Sequence, residues 1–352
     1  MSFLRNGRAR PLSFQRRSIG RWFYQGGREY IIDSTHGTAD REKRRVRYRA
    51  FVLALAAALL FGIATPFSKT LLAGLHPSVL AGLLYLGAAV CLFPLVVRRW
   101  MAGRAVFPSD SRNRGHLLGA VFFGGVVGPV LLLVGLTYAR AASVSMWLNL
   151  ELVATAVLAY LLFREHLGRW TWLGNLGVMA AGVMLSFNEG WSGWIGLAFL
   201  VGASVAWGLD NNFTALIDGI SPEDSTFWKG LIAGATNLTI GLVFFARSGI
   251  DASWFWALLL GGVSYGASMS LYIRAAHGIG ATRSQMVFAS APFFGVLMSV
   301  LWLGEGLSVL QVLAEHGIPV RAVVGTSIGA EIGAFYCAGL GVERIATMAR
   351  EF

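Results

Sequence analysis

Three groups of residues carry the chemistry this sequence could perform. The first is RAVVGTSIGA, Arg321 to Ala330, in which Gly325-Thr326-Ser327-Ile328-Gly329 has the G-x-S-x-G spacing of a nucleophile elbow. Such an elbow holds a serine at a tight strand-to-helix turn with its hydroxyl exposed for attack. The second is a set of ionisable and amide side chains set inside apolar runs: Glu151 in WLNLELVAT, Lys69 after ATPFS, and Asp210-Asn211-Asn212 in WGLDNNF. Charges placed so deep are costly, which makes them candidates for holding a substrate, a coupling ion or one another. The third is Trp147, Asn149, Trp207 and Tyr265, side chains able to wall a small-molecule cavity. Each group has a plainer alternative. Glu151 can be a structural acid, Lys69 can snorkel to an interface or pair with Glu151, the Asp-Asn-Asn cluster can glue helices, and aromatic residues can simply pack.

Metal and redox chemistry find no support. The six histidines are scattered without an H-x-x-x-H pair, and Cys91 and Cys337 lie far apart in apolar runs. That gives no ligand spacing and no disulfide framework, so no metal and no cofactor is expected.

The elements that must position these residues are membrane-spanning. Of 352 residues, 55% are hydrophobic and only 13% charged, against roughly 25% charged in a soluble domain. So few charges cannot coat a globule of this length, and the bilayer is the remaining solvent. A span needs about 20 apolar residues. Nine runs qualify: Phe51–Leu72, Ser78–Val97, Leu117–Leu136, Ser143–Phe163, Trp170–Phe187, Trp194–Ile217, Phe227–Phe245, Trp254–Ala276 and Ala281–Leu303. Pro66 and Pro292 fall inside two of them and predict kinks.

The net charge of +11 is read as topology rather than nucleic-acid binding. Much of it lies before Phe51, and Arg98, Arg99, Arg104, Arg112, Arg114, Arg164, Arg169 and Arg283 all fall on the same side as that arm. By the positive-inside rule that side is cytoplasmic. The loop with Asp218, Glu223 and Asp224 is the one acidic exception.

The runs repeat. FGIATPFSKTLL (Phe61–Leu72) aligns with WGLDNNFTALI (Trp207–Ile217), and LTYARAAS…LLFREHLG (Leu136–Gly168) with LYIRAAHGIGATRS…LWLGEGLS (Leu271–Ser308), setting Glu165 against Glu305. The copies are five spans apart, an odd number, so the second is inverted. Inverted repeats with a site between them near the midplane are a transporter architecture. On Gly62, Pro66-Phe67-Ser68-Lys69, FREHLG and LGEGLS, residues 51–308 resemble the EamA-type drug/metabolite transporters. The resemblance implies ten helices in two five-helix inverted repeats, both termini cytoplasmic, and movement of small metabolites by alternating access.

After Ser308 the sequence changes character. An amphipathic stretch (Val309–His316), GIPV, a short strand (Ala322–Val324) and GTSIGA resemble the patatin-like phospholipases, with Ser327 at the position of that family's nucleophile. The resemblance also implies an upstream glycine-rich oxyanion loop and a later aspartate. LWLGEGLS stands where the loop would be, and no aspartate follows Asp251. A serine without an activating partner is a poor nucleophile, so Ser327 is expected to be vestigial and the chain not an enzyme.

The sequence therefore predicts an all-α polytopic membrane protein. About nine transmembrane helices form two inverted repeats, the tenth helix being missing or replaced by a short strand-turn-helix fragment. The expected organisation is a basic cytoplasmic arm (1–49), a first EamA-type repeat (50–190), an incomplete second repeat (191–307) and the patatin-like fragment (308–352). The expected setting is a bacterial inner membrane with the N-terminus cytoplasmic. The partners are a small-molecule substrate and lipid, with a homodimer allowed and no nucleic acid. The alternatives are a membrane-anchored acyl hydrolase acting through Ser327, or a non-functional chimera.

Overall fold

The structure is a computed structural model that describes residues 34–163, 168–245 and 251–306. The expected tail fragment with Ser327, the place of a tenth span, and Glu165 lie outside the described residues. The chain divides into two units, residues 1–48 and 49–352. In the first, the described residues are the charged opening of α1 (Ser34–Gly62); the second is a bundle of helices.

Each of the nine apolar runs is helical. The first is the end of α1 with α2 (Ala64–Leu71), and the second is α3 (Pro77–Met101). The third is α4 (Ser111–Ala120), a π-helical stretch (Val121–Val127) and α5 (Gly128–Tyr138). The fourth is α6 (Ala141–Trp147) with α7 (Leu150–Phe163), the fifth α8 (Arg169–Asn188), the sixth α9 (Gly190–Ala215) and the seventh α10 (Pro222–Phe244). The eighth is α11 (Ala252–Gly261), a second π-helical stretch (Gly262–Ala267) and α12 (Ser268–Ile279); the ninth is α13 (Ala281–Phe288) with α14 (Ala291–Leu303). Among the described residues there is no strand. Seven helices among the described residues are long and apolar enough to cross a membrane. A shorter apolar helix, α14, has 13 residues. The protein is an all-α polytopic membrane protein.

Prolines set most of the breaks. A proline cannot donate to the carbonyl four residues back and its ring clashes there. Pro66 points back to Gly62, where α1 ends, and Pro292 points back to Phe288, where α13 ends. Pro129 points back to Gly125, inside the first π-helical stretch. The carbonyls it frees are taken up by side chains of other helices: Asn237 Nδ2 donates to Gly125 O at 2.9 Å, and Tyr85 Oη and Trp207 Nε1 donate to Gly124 O at 2.7 and 3.0 Å.

The same order of breaks occurs twice. A helix, a π-helical stretch and a helix are followed by two short helices, first over 111–163 and again over 252–303. The corresponding helices α4 and α11 are both capped by an aspartate, Asp110 on Asn113 N and Asp251 on Ser253 N. Packing is crossed: α3 lies on the second π-helical stretch and α10 on the first. Between them α3 and α10 meet through glycines. A Cβ at Gly82 would strike Leu238, and one at Gly234 would strike Leu86. Small residues of this kind let membrane helices approach closely.

Candidate functional site

The cluster at mid-bundle is built where the fourth run breaks. Between α6 and α7 the bonding tightens to three-residue steps, Asn149 N to Met146 O and Glu151 N to Leu148 O. Asn149 also turns its side-chain amide onto Met146 O at 3.1 Å. The break puts Glu151 in the first turn of α7, where the helix dipole favours a carboxylate. Gly208 lets α9 close on α7, since a Cβ there would meet Leu158 and the backbone at Thr155. That approach brings Asn211 Nδ2 to Glu151 Oε1 at 2.9 Å and to Thr155 Oγ1 at 3.1 Å.

One residue earlier on α9, Asp210 is buried and faces the other way. Both its oxygens accept from Lys229 Nζ, at 2.6 and 2.7 Å, and Thr214 Oγ1 donates to Oδ1 at 2.9 Å. Its carboxylate fills the space over Gly124, where any Cβ would overlap it. The π-helical stretch is therefore tied to the buried ion pair on one side and to Tyr85 and Trp207 through the Gly124 carbonyl on the other. Tyr85 and Tyr265 rings lie 5.9 Å apart, and Tyr265 meets Phe61 edge-on at 5.7 Å.

A second polar cluster closes one end of the bundle. Lys69 Nζ donates to the carbonyls of Leu136 and of Ala139, the latter at 2.8 Å. Glu305 receives Ala141 N and Ala142 N at 2.9 and 2.8 Å, capping α6 from the far end of α14. Glu189 receives Arg140 N at 2.9 Å, Arg140 Nε at 3.2 Å and the Ser143 hydroxyl, while Arg140 reaches Gly306 O at 3.2 Å. Lys69, Arg140, Glu189 and Glu305 line a pocket of about 310 Å³. At the opposite end of α3, Arg99 pairs with Glu223 at 2.8 Å and Asp224 at 3.2 Å. Two of the three acids that stood out in the sequence, Glu223 and Asp224, thus pair with one of the arginines that set the charge pattern.

Residues 49–187 and 194–315 match the EamA-like transporter family. The chain belongs to that family. It is also 25% identical over 284 residues to a protein of Methanothermobacter thermautotrophicus named an uncharacterized transporter, covering 75% of this chain and 82% of that protein. A solved crystal structure shares the fold, with a TM-score of 0.56 at 16% identity, over 84% of this chain and 99% of that one. The protein is accordingly a multi-pass membrane transporter of the drug/metabolite type. The second matched segment ends at residue 315, so it extends past the change of character seen at Ser308.

The transporter gathers some of the expected site residues and scatters others. Glu151 and Asn211 meet directly, while Asp210 pairs with Lys229 from the other face of α9 and Trp207 joins Tyr85 at the Gly124 carbonyl. Asn212 turns inward to Gly208 O at 2.7 Å and Thr155 O at 3.4 Å, gluing α9 to α7. Trp147 is fully buried in the apolar core with its indole N–H on Gly182 O at 3.1 Å, so it packs rather than walls a cavity. Lys69 does not meet Glu151: its short helix α2 ends at the polar cluster of Glu189 and Glu305, and its ammonium caps α5 carbonyls. Three members were missed from the sequence. Lys229 was the lone cation within its run, Tyr85 an isolated phenol, and Pro129 the mark of the freed Gly125 carbonyl. Among the described residues there is no group of three or more potential metal ligands.

Proposed function

We propose that this chain is a secondary transporter of small metabolites working by alternating access, with Glu151 as the carboxylate that meets the substrate or coupling proton. The observation that carries this is the placement of Glu151. It sits in the first turn of a half-helix at mid-span, held by one amide hydrogen bond and without an ion-pair partner among the described residues. Discontinuous helices at mid-membrane are where transporter folds build their sites. Structural acids in such surroundings are paired, as Asp210 is.

The recurrence of the broken runs supports two repeats, divided near residues 190 and 191. Their separation by five spans makes the second copy inverted. The arginine-rich end of α3 is read as cytoplasmic in a bacterial inner membrane, which sets the Lys69–Glu305 cluster on the outer side. There, Glu305 and Gly306 hold α6 and Arg140, linking the two repeats in an outward-closed arrangement. Opening that side requires these bonds to exchange with water, which their polar character allows.

The test is solute flux in proteoliposomes with Glu151→Ala. The reading requires transport by the wild type, its loss in the variant, and a pH dependence that the variant lacks. Normal flux with an unchanged pH profile in Glu151→Ala removes Glu151 from the mechanism.

A further inference from the structure

The outward face of α3, at its arginine-rich end, combines an apolar groove with an unpaired cation. We propose that this face holds an anionic phospholipid, with an acyl chain in the groove beside Phe93 and Val97 and the phosphate on Arg98. The proposal needs the membrane-spanning fold alone and stands whether or not Glu151 meets a solute.

Phe93, Pro94, Val97, Arg98 and Met101 line a groove of about 450 Å³. Steps of one, three and four residues put all five on one face of the helix. The other face is packed, with Leu92 and Val96 buried together with Phe227 of α10. Phe93 is 55% exposed, and its ring lies 6.2 Å from that of Phe227, so one wall of the groove is held by the next helix. The depth of these residues follows from the length of α3. A span uses about 20 residues, so counted from Pro77 the hydrocarbon ends near Val96, and residues 97–101 stand among the headgroups. Trp100, largely exposed, suits that level, where aromatic belts lie. The helix rises about 7.5 Å from Phe93 to Arg98. Apolar side chains therefore sit in the acyl region and the guanidinium at the level of the phosphates, the order in which a phospholipid presents its own parts.

Charge selects the occupant. Arg98 and Arg99 are neighbours in the last turn of α3, but only Arg99 is used within the protein, on Glu223 and Asp224. Among the described residues the exposed Arg98 side chain has no hydrogen-bond or ion-pair partner. The negative end of the helix does not offset it, because the carbonyls of this turn are capped. Ala102 N bonds Arg98 O and Arg99 O, Gly103 N bonds Trp100 O, and Arg104 N returns to Arg99 O. Gly103, at φ +70°, permits that return because it has no Cβ. Arg104 adds a second exposed cation just past the helix. A guanidinium pairs with a phosphate through two parallel N–H···O bonds. A zwitterionic lipid offers its phosphate with a cation attached, and an isologous dimer on this face would set two copies of Arg98 against each other. An anionic phospholipid meets both the groove and the charge.

The experiment is native mass spectrometry of the full chain released from detergent micelles, titrated separately with dioleoyl phosphatidylglycerol and dioleoyl phosphatidylcholine, which share their chains and differ in charge. One arginine beside an anionic lipid surface is worth about fivefold in affinity, and the first bound lipid should favour phosphatidylglycerol by about that factor. Arg98→Gln should erase the preference, while Arg98→Lys, which keeps the charge, should retain part of it. Phe93→Ala should weaken both lipids alike and leave their ratio unchanged. Arg283→Gln removes an exposed arginine on α13 and should leave the ratio unchanged too. Glycerol phosphate, which has no chains, should not displace the bound lipid. Equal binding of the two lipids, or a preference that survives Arg98→Gln, overturns the proposal. So does an equal fall in Arg283→Gln, which means general surface charge, or displacement by glycerol phosphate, which means a soluble-anion site. A dimer that forms in place of the lipid-bound monomer and is lost in Phe93→Ala assigns the face to a second copy and overturns it as well.

Discussion

The buried Asp210–Lys229 pair permits a quantitative test of how the site is held. Asn at position 210 keeps the shape and an oxygen for the Thr214 hydroxyl, but leaves the Lys229 ammonium, whose side chain is 16% exposed, without a counter-charge. Breaking a buried pair by removing one partner costs about 3–5 kcal/mol, because the survivor stays desolvated. The long lysine stem gives some relief by reaching toward water, so the low end, about 3 kcal/mol, applies to Asp210→Asn. That is a loss on the order of a hundredfold in the folded-to-unfolded ratio. Lys229→Met alone should cost at least as much, since Asp210 has only 8% side-chain exposure and sits against Gly124 with no route to solvent. The double variant Asp210→Asn/Lys229→Met removes both charges and should return to within about 1 kcal/mol of wild type, as buried pairs replaced together often do. The assay is reversible unfolding in mixed micelles on addition of dodecyl sulfate, followed by helical circular dichroism. If Asp210→Asn is as stable as wild type, or the double variant is no better than the worse single one, the pair is not a desolvated partnership and the reasoning fails.

Further outcomes follow from single contacts. Gly124→Ala must displace either the Asp210 carboxylate or the π-helical stretch, so it should lower stability by more than the same change at Gly74, where a Cβ meets nothing within 4 Å; thermal unfolding of the two variants compares them directly. Glu305→Ala leaves the Ala141 and Ala142 N–H groups unsatisfied, which costs about 1–3 kcal/mol, and should raise the accessibility of a cysteine placed at Ser192 to a water-soluble thiol reagent. His76 caps α3 by accepting from Ser78 N on Nδ1 and stacks on Phe245 at 4.1 Å, and burial lowers its pKa below the ordinary value. With the folded value depressed, the stability it lends is fully present above the unfolded pKa of about 6.5 and is lost as pH falls through the folded value. His76→Asn should remove that acid-side decline from a pH series of unfolding midpoints. Ser327, preceded by LWLGEGLS rather than the glycine-rich loop that its resemblance implies, should not react with a fluorophosphonate, and covalent labelling there would reopen the hydrolase reading.

What the sequence made legible follows from which forces act locally. Length and apolarity alone place all nine helical runs, because a span must satisfy its own backbone in lipid. Pro66 and Pro292 mark breaks at Gly62 and Phe288 for an equally local reason, the missing donor. The same rule was available at Pro129 and would have flagged Gly125. What could not be read was which partner takes a freed carbonyl. Asn237, Tyr85 and Trp207 come from three other helices, and only the packing of α3, α9 and α10 brings them together. Lys69 shows the same limit from the other side. Its charge and depth suggest a partner for Glu151, but the short helix after Pro66 carries it to the end of α5. Asp210 and Asn211, adjacent in sequence, serve opposite faces of α9. One belongs to a buried ion pair and the other to Glu151, a division that residue type does not encode. Asn237 and Lys229 also share a helix with the acidic residues that Arg99 pairs with, so the charge pattern of that region is legible only once α3 and α10 are known to touch.

The central claim is that solute moves through the Glu151 cluster. The most direct test is to load proteoliposomes holding wild-type or Glu151→Ala protein with a small-molecule extract and follow efflux by mass spectrometry at two pH values. The account predicts that a small set of solutes leaves the wild-type vesicles in a pH-dependent way and is retained by the variant. Equal release of the same solutes from both, or none from the wild type, contradicts it.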